Sequence, residues 1–175
     1  SPNVTPRTYR LGYDMLSDAR KFDAETSVIN PNNLQIGSAS GDTGYFGRDG
    51  GLPLDQREDD ESSLVFDTRP LESSVDILGH TIVNVALQVD QPAASLVVRL
   101  NDVAPDGTSS RVAFSVCNLG LNAKGMPDNG HPPNTLRTVT IQLPNTAYRF
   151  GEGHRIRLAF STSYWPIIWP TPKLA

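Results

Sequence analysis

One cysteine, Cys117, stands among 175 residues. An internal disulfide is excluded, and so is a structural zinc site built on several thiolates. A lone thiol suits the cytoplasm without requiring it, which makes that the slightly favoured compartment. Long apolar runs are missing too. Stretches such as Ile82-Val83 and Leu96-Val97-Val98 are far shorter than the roughly 20 residues a membrane helix needs. No basic segment followed by an apolar one marks a signal peptide. The chain opens at Ser1-Pro2 without a methionine, as a mature product or an excised piece does. Positive charge is thin: 15 Lys and Arg face 19 Asp and Glu, for a net charge of −4. The basic residues form no stripe, so nucleic acid is not an expected partner.

Helical periodicity is also scarce. The one candidate, Asp14 to Phe22, is short and reads equally well as an irregular turn. Period-two alternation is abundant from residue 64 onward. Val83, Val85, Leu87 and Val89 fall on one face, opposite Asn84 and Gln88. Leu96, Val98 and Leu100 alternate with Val97, Arg99 and Asn101, and Val112, Phe114 and Val116 with Arg111, Ala113 and Ser115. Val139, Ile141 and Leu143 repeat the pattern, as do Ile156, Leu158 and Phe160. Each such strand is expected to bury one face and wet the other. Turn signals at Leu78-Gly79, Asp90-Gln91-Pro92, Pro105-Asp106-Gly107, Asn129-Gly130 and Gly151-Glu152-Gly153 separate the runs. Closely spaced strands with almost no helix predict an all-β jelly-roll sandwich. Its expected limits are 50–172, behind an irregular 1–49 segment packed on it. The tripeptide Lys173-Leu174-Ala175 matches what a common cloning junction encodes before a purification tag, and is held to be non-native.

Chemistry is hard to find. The stretch GSASG at 37–41 has Ala39 where a nucleophile elbow needs serine, so it reads as a turn. His80, His131 and His154 lack an activated-serine signature, and a structural or solvent-facing role is preferred for each. No two histidines stand four apart. Asp102 and Asp106 lack the spacing of a calcium loop, so no metal or cofactor is expected.

Two features remain. The run DQREDDESS at 55–63 puts five acids, Asp55, Glu58, Asp59, Asp60 and Glu61, against Arg57 alone. Adjacent acids on an extended chain point opposite ways, which disfavours both a catalytic pair and a cation site. A solvated loop is the default reading. The tail SYWPIIWPTP at 163–172 carries both tryptophans, Trp165 and Trp169, each before a proline. Such aromatics suit a sugar platform, a covered sheet edge or a docked domain.

Five pieces in order carry a resemblance: DQREDD (55–60), SLVFDTRPL (63–71), ILG (77–79), VRLNDVAPDG (98–107) and YRFGEGHRIRLAFSTSYWP (148–166). The series resembles the C-terminal domain of the Xaa-Pro dipeptidyl-peptidase and cocaine-esterase-like (CocE/NonD) serine hydrolases, over roughly residues 50 to 172. The resemblance implies a jelly roll similar to galactose-binding modules, following an α/β-hydrolase domain that holds the catalytic serine, aspartate and histidine. None of that domain is present, so a noncatalytic accessory role is implied, with the hydrolase domain as partner. It also implies that the loop before Asp55 reaches the hydrolase pocket, with Tyr45 and Phe46 lining it. Family domains commonly continue past the WP segment, so a terminal strand is expected to be missing, leaving an unpaired edge. Asp55, Gln56, Arg57, Asp59, Trp165 and Trp169 become the candidate domain-junction residues. The alternatives are a free-standing carbohydrate-binding module using Trp165 and Trp169, and, with least support, a small esterase. Oligomeric state is not readable.

Overall fold

A strand that is apolar on one side needs a second layer to cover it, and this chain makes that layer by folding back along its own length. The computed structural model describes residues 5–12, 15–17, 29, 34–41, 50–121 and 132–170. Two short strands come first, β1 (Arg10–Gly12) and β2 (Met15–Ser17). A helical turn, α1 (Arg57–Glu61), leads into eight further strands. These are β3 (Leu64–Asp67), β4 (Val75–Gly79), β5 (Ile82–Leu87), β6 (Ser95–Val103), β7 (Ser109–Asn118), β8 (Arg137–Gln142), β9 (Thr146–Phe150) and β10 (Arg155–Ser161).

The pairing is nested. Outermost β3 pairs with β10, then β4 with β9, β5 with β8, and innermost β6 with β7, all antiparallel. This is a long ribbon rolled up, the jelly-roll arrangement. Lateral pairing of β10 with β6 closes the larger sheet, whose order is β1-β2-β3-β10-β6-β7. The N-terminal segment thus lends two strands to the sheet, β2 joining β3 in parallel at Met15↔Asp67. The ladders β4-β9 and β5-β8 share one apolar core with the larger sheet. Val83, Ile141 and Phe150 from the ladders meet Leu96, Val98, Leu100, Ile156, Leu158 and Phe160 from the sheet. Each fully buried aliphatic or aromatic side chain there contributes about 1.5–3 kcal/mol relative to exposure.

Three expectations need correction. Strand β6 does not wet one face, because Val97, Arg99 and Asn101 are fully buried. Helix α1, the turn over 34–39 and the segment after β10 cap the sheet's outer side. There Ile36, Val97 and Tyr164 form a second cluster with Phe114, Val116, Ile167 and Ile168. In β7, Val112 does not share a face with Phe114 and Val116. Leu100 pairs with Ala113 but Asn101 with Arg111, so Val112 is an inserted bulge residue. Val112 packs on the main core, while Phe114 and Val116 pack on the outer cluster. The candidate helix at 14–22 is strand β2 where it is described, at Met15–Ser17; the rest lies outside the described residues.

The cap is held close. Gly37 has φ +112°, and a Cβ placed there would sit 2.2 Å from the Trp165 carbonyl oxygen. Gly107 has φ +87° but open space around it. Gly37→Ala is expected to cost about 2–4 kcal/mol, from a backbone clash added to left-handed strain. Gly107→Ala, which adds strain alone, should cost about 1 kcal/mol. Urea unfolding followed by circular dichroism measures both; equal losses would refute the close packing of the 34–39 turn on the tail.

Candidate domain-docking face and the charge cluster beneath it

The acidic run is helical rather than extended, and that changes which way its side chains point. Asp55 Oδ1 accepts from the Arg57 N–H at 3.1 Å and from the Ser109 N–H at 3.0 Å, fixing the turn into α1. Asp55 Oδ2 accepts from Arg57 Nε at 2.7 Å in an exposed ion pair. Burial alone pushes the Asp55 carboxyl up. The Arg57 side chain, the two backbone N–H groups and the Arg57 charge outweigh it and hold the carboxyl below its ordinary value. On the helix itself, Arg57, Glu58 and Glu61 face solvent, whereas Asp59 and Asp60 are buried.

Gln56 is fully buried. Its Nε2 donates to the carbonyls of Ala39 (2.7 Å) and Leu54 (2.8 Å), and its Oε1 accepts from Arg99 Nη1 at 3.3 Å. Arg99 Nη2 donates to the Asp59 carbonyl at 3.1 Å and to Ser63 Oγ at 2.6 Å, and lies 3.3 Å from Asp60 Oδ1. Asp60 Oδ1 also accepts from Asn101 Nδ2 at 2.9 Å, while its Oδ2 accepts from Ser109 Oγ at 2.7 Å and Arg157 Nη1 at 3.1 Å. Arg157 grips Asp67 with two bonds, 2.6 and 2.7 Å; the Asp67 contact raises the guanidinium's already high pKa. Of the sequence candidates, Gln56 and Asp59 therefore belong to a buried cluster, and Asp55 and Arg57 to its exposed edge. Asp60, Arg99, Asn101, Ser109 and Arg157 were missed. Their polar positions in strands look the same whether water or a cap covers them.

The tail stands on this cluster. Tyr164 is fully buried, its ring 5.6 Å from the Arg99 guanidinium and its hydroxyl accepting from Arg111 Nη1. Burial pushes the Tyr164 phenol up, against the lowering pull of the two arginines. Next to it the Trp165 N–H donates to the Ile36 carbonyl at 2.9 Å. Trp165 is 44% exposed and Trp169 81% exposed, with ring centroids 5.1 Å apart and planes at 66°. Leu34, Leu52 and Leu54 are also exposed, and the Leu54 N–H bonds the Ala39 carbonyl in the same turn. Tyr45 and Phe46 lie outside the described residues. The described residues on either side of them are neighbours, since a Cβ on Gly41 would lie 2.6 Å from the Gly51 oxygen.

One Asp–His pair occurs elsewhere. Asp102 Oδ1 lies 2.8 Å from His154 Nδ1, and Asp102 Oδ2 accepts from the Tyr148 hydroxyl at 2.9 Å. The other ring nitrogen of His154 lies beside Gly151, where a Cβ would be 2.9 Å away, and the side chain is half-buried. Burial first, then the Asp102 bond and charge, push the Tyr148 phenol up to about 12. Asp106 only caps its turn, accepting from the Thr108 N–H at 2.9 Å.

Removing a buried charge strands its partners, so Arg99→Met should cost about 3–5 kcal/mol, whereas the exposed Arg57→Ala should cost far less. Chemical denaturation of the two variants tests this; similar losses would contradict the cluster's placement. The pH predictions have opposite signs. Asp55 has a depressed folded pKa, so its contribution is complete above the ordinary aspartate range and is lost as pH falls through the folded value. Asp55→Asn should flatten that acid limb. Tyr148 has a raised folded pKa, so its contribution is complete below the ordinary tyrosine value and is lost as pH rises toward about 12. Absorbance titration should show late phenols, of which Tyr148→Phe removes the one near 12 and leaves that of the buried Tyr164.

Comparison with known proteins agrees with this geometry. A family model described as the X-Pro dipeptidyl-peptidase C-terminal non-catalytic domain matches residues 1–174. An aminopeptidase from the marine sediment archaeon Thaumarchaeota archaeon has TM-score 0.61 at 23% identity, over 69% of this chain and 22% of its own. An α-amino acid ester hydrolase has TM-score 0.62 at 24% identity, over 71% and 22%. A CocE/NonD family hydrolase from Staphylococcus aureus has TM-score 0.53 at 13% identity, over 67% and 26%. At such identities the likeness is one of fold. The chain spans about a fifth to a quarter of the length of these solved chains. No curated protein sequence matches it. With the family model covering all but the last residue, the chain belongs to the X-Pro dipeptidyl-peptidase C-terminal non-catalytic domain family.

Proposed function

We propose that this domain serves an α/β-hydrolase-type serine hydrolase, acting on X-Pro peptides or acyl esters, by stabilising its catalytic domain and shaping its substrate pocket. The observation that carries the reading is the exposed Trp165–Trp169 pair, set on a stem whose previous residue, Tyr164, is wholly buried. Large aromatics in water on a rigid base are what an interface hot spot looks like before its partner covers it. Leu34, Leu52 and Leu54 are exposed as well, and the Leu54 backbone N–H bonds the Ala39 carbonyl at the end of the 34–39 turn. The hydrolase domain is the proposed occupant, covalently joined in the same chain. Tyr45 and Phe46, carried on the segment between Gly41 and Gly50, are proposed to line the pocket. Asp55, Gln56, Arg57 and Asp59 set the base of this junction and take no part in chemistry.

A sugar-binding role rests on the same two tryptophans. Two rings inclined at 66° cannot form one flat platform for successive sugar faces, which weighs against that role. The tests separate the readings. The chain alone should not turn over Ala-Pro-nitroanilide or p-nitrophenyl esters. In the intact hydrolase carrying this domain, Trp165→Ala with Trp169→Ala should weaken the domain contact by about 2–4 kcal/mol and lower the thermal midpoint, with kcat/KM falling in step. Unchanged stability and activity in that double variant would defeat the docking proposal. Saturable glycan binding lost in Trp165→Ala would favour the sugar-binding module instead.

A further inference from the structure

Three arginines from neighbouring strands stand on the outer side of the large sheet, and two of them have their counter-charges. Arg99 and Arg157 hold Asp59, Asp60 and Asp67 between them. Arg111, in β7, is half-buried, and no described carboxylate pairs with it. Its guanidinium is fixed all the same. The Cζ lies 4.7 Å from the Phe114 ring centroid and 5.8 Å from that of Tyr164, and Nη1 donates to the Tyr164 hydroxyl. Nε and Nη2 have no acceptor among the described residues, and unlike Arg99 Nε they are not sealed from water. Phe114 and Tyr164 belong to the outer cluster on which Ile167 and Ile168 pack. Arg111 thus stands at the foot of the segment that carries Trp165 and Trp169.

We propose that Arg111 receives an Asp or Glu side-chain carboxylate of the hydrolase domain, as a charged anchor beside the two indoles. The inference rests on the docking reading and adds to it the chemistry of the partner's surface. While the face is open, water serves the free donors. A domain seated on the indoles expels that water, and a guanidinium then left unpaired opposes docking. A neutral carbonyl meets the hydrogen bonds but not the charge. A carboxylate meets both, through two parallel bonds to the planar fork. The two rings hold the fork in place beforehand, so little side-chain freedom is lost when the pair forms.

The test follows hydrogen exchange at the Trp165 and Ile168 amides, which bond the Ile36 and Tyr164 carbonyls. It compares the intact hydrolase carrying this domain with the 175-residue chain alone. The rate in the chain divided by the rate in the intact protein isolates what docking adds, because any loosening of Tyr164 acts on both. Docking should hold that ratio well above one. Arg111→Met should cut it about tenfold or more. Arg111→Lys, which keeps the charge but loses the planar fork, should cut it about threefold. Raising ionic strength from about 0.05 to 0.5 M should lower the ratio in the wild type and not in Arg111→Met. If Arg111→Met does not fold, Arg111→Lys and the salt response decide the matter. A wild-type ratio above one that either variant or the added salt leaves unchanged overturns the carboxylate anchor while the docking reading stands. A wild-type ratio of one overturns both.

Discussion

The structure depends on a charge placed where sheets usually meet water. Arg99 lies in the middle of β6, on the side facing away from the sandwich core, and it is wholly buried. A guanidinium removed from water costs several kcal/mol unless carboxylates and carbonyls surround it. Those groups arrive from about forty residues upstream: the Gln56 amide, the Asp59 carbonyl and carboxylate, the Asp60 carboxylate and Ser63 Oγ. Meeting that demand requires 55–63 to curl into a helical turn. The same turn draws in the 34–41 segment through the two bonds from the Gln56 amide and the bond from Ser38 to Asp59. The outer layer thus rests on ionic and amide contacts, whereas the inner layer rests on apolar area.

The tail follows from the same constraint. Tyr164 reaches down to the two arginines, its ring against Arg99 and its hydroxyl bonded to Arg111. With that side chain anchored below and the Trp165 N–H tied to the Ile36 carbonyl, the indoles that follow are left at the surface. Exposure of the tryptophans is therefore a product of the cap's geometry rather than slack in the chain end.

Much of this was legible in the residues, and the failures have physical causes. Alternation in β5, β8 and β10 identified the core face because apolar side chains have only one place to go. It misread β6 because polarity at Arg99 and Asn101 says a group needs partners, and is silent on whether water or another segment supplies them. Strand β7 was misread beyond Val112 because a bulge inverts facing without any mark in composition. The run at 55–63 was read as extended, which scattered its acids; a helical turn instead sends Asp59 and Asp60 inward together and leaves Glu58 and Glu61 in water. The ordered motif series carried the family where no single motif could. Even so, the family match begins at residue 1, and the N-terminal strands that explain why had no clear pattern of their own.

Both faces of the large sheet carry buried apolar clusters. The inner face is spent on the sandwich core and the outer face on the cap, while the β4-β9 and β5-β8 ladders keep one face in water. The one Asp–His pair among the described residues ties β6 to the β9–β10 turn, with the imidazole beside Gly151. On the cap, two indoles reach water above a turn held by the charges below. A surface of that kind is suited to pressing on another domain and holding its shape, and the buried cluster is what keeps it from yielding when it does.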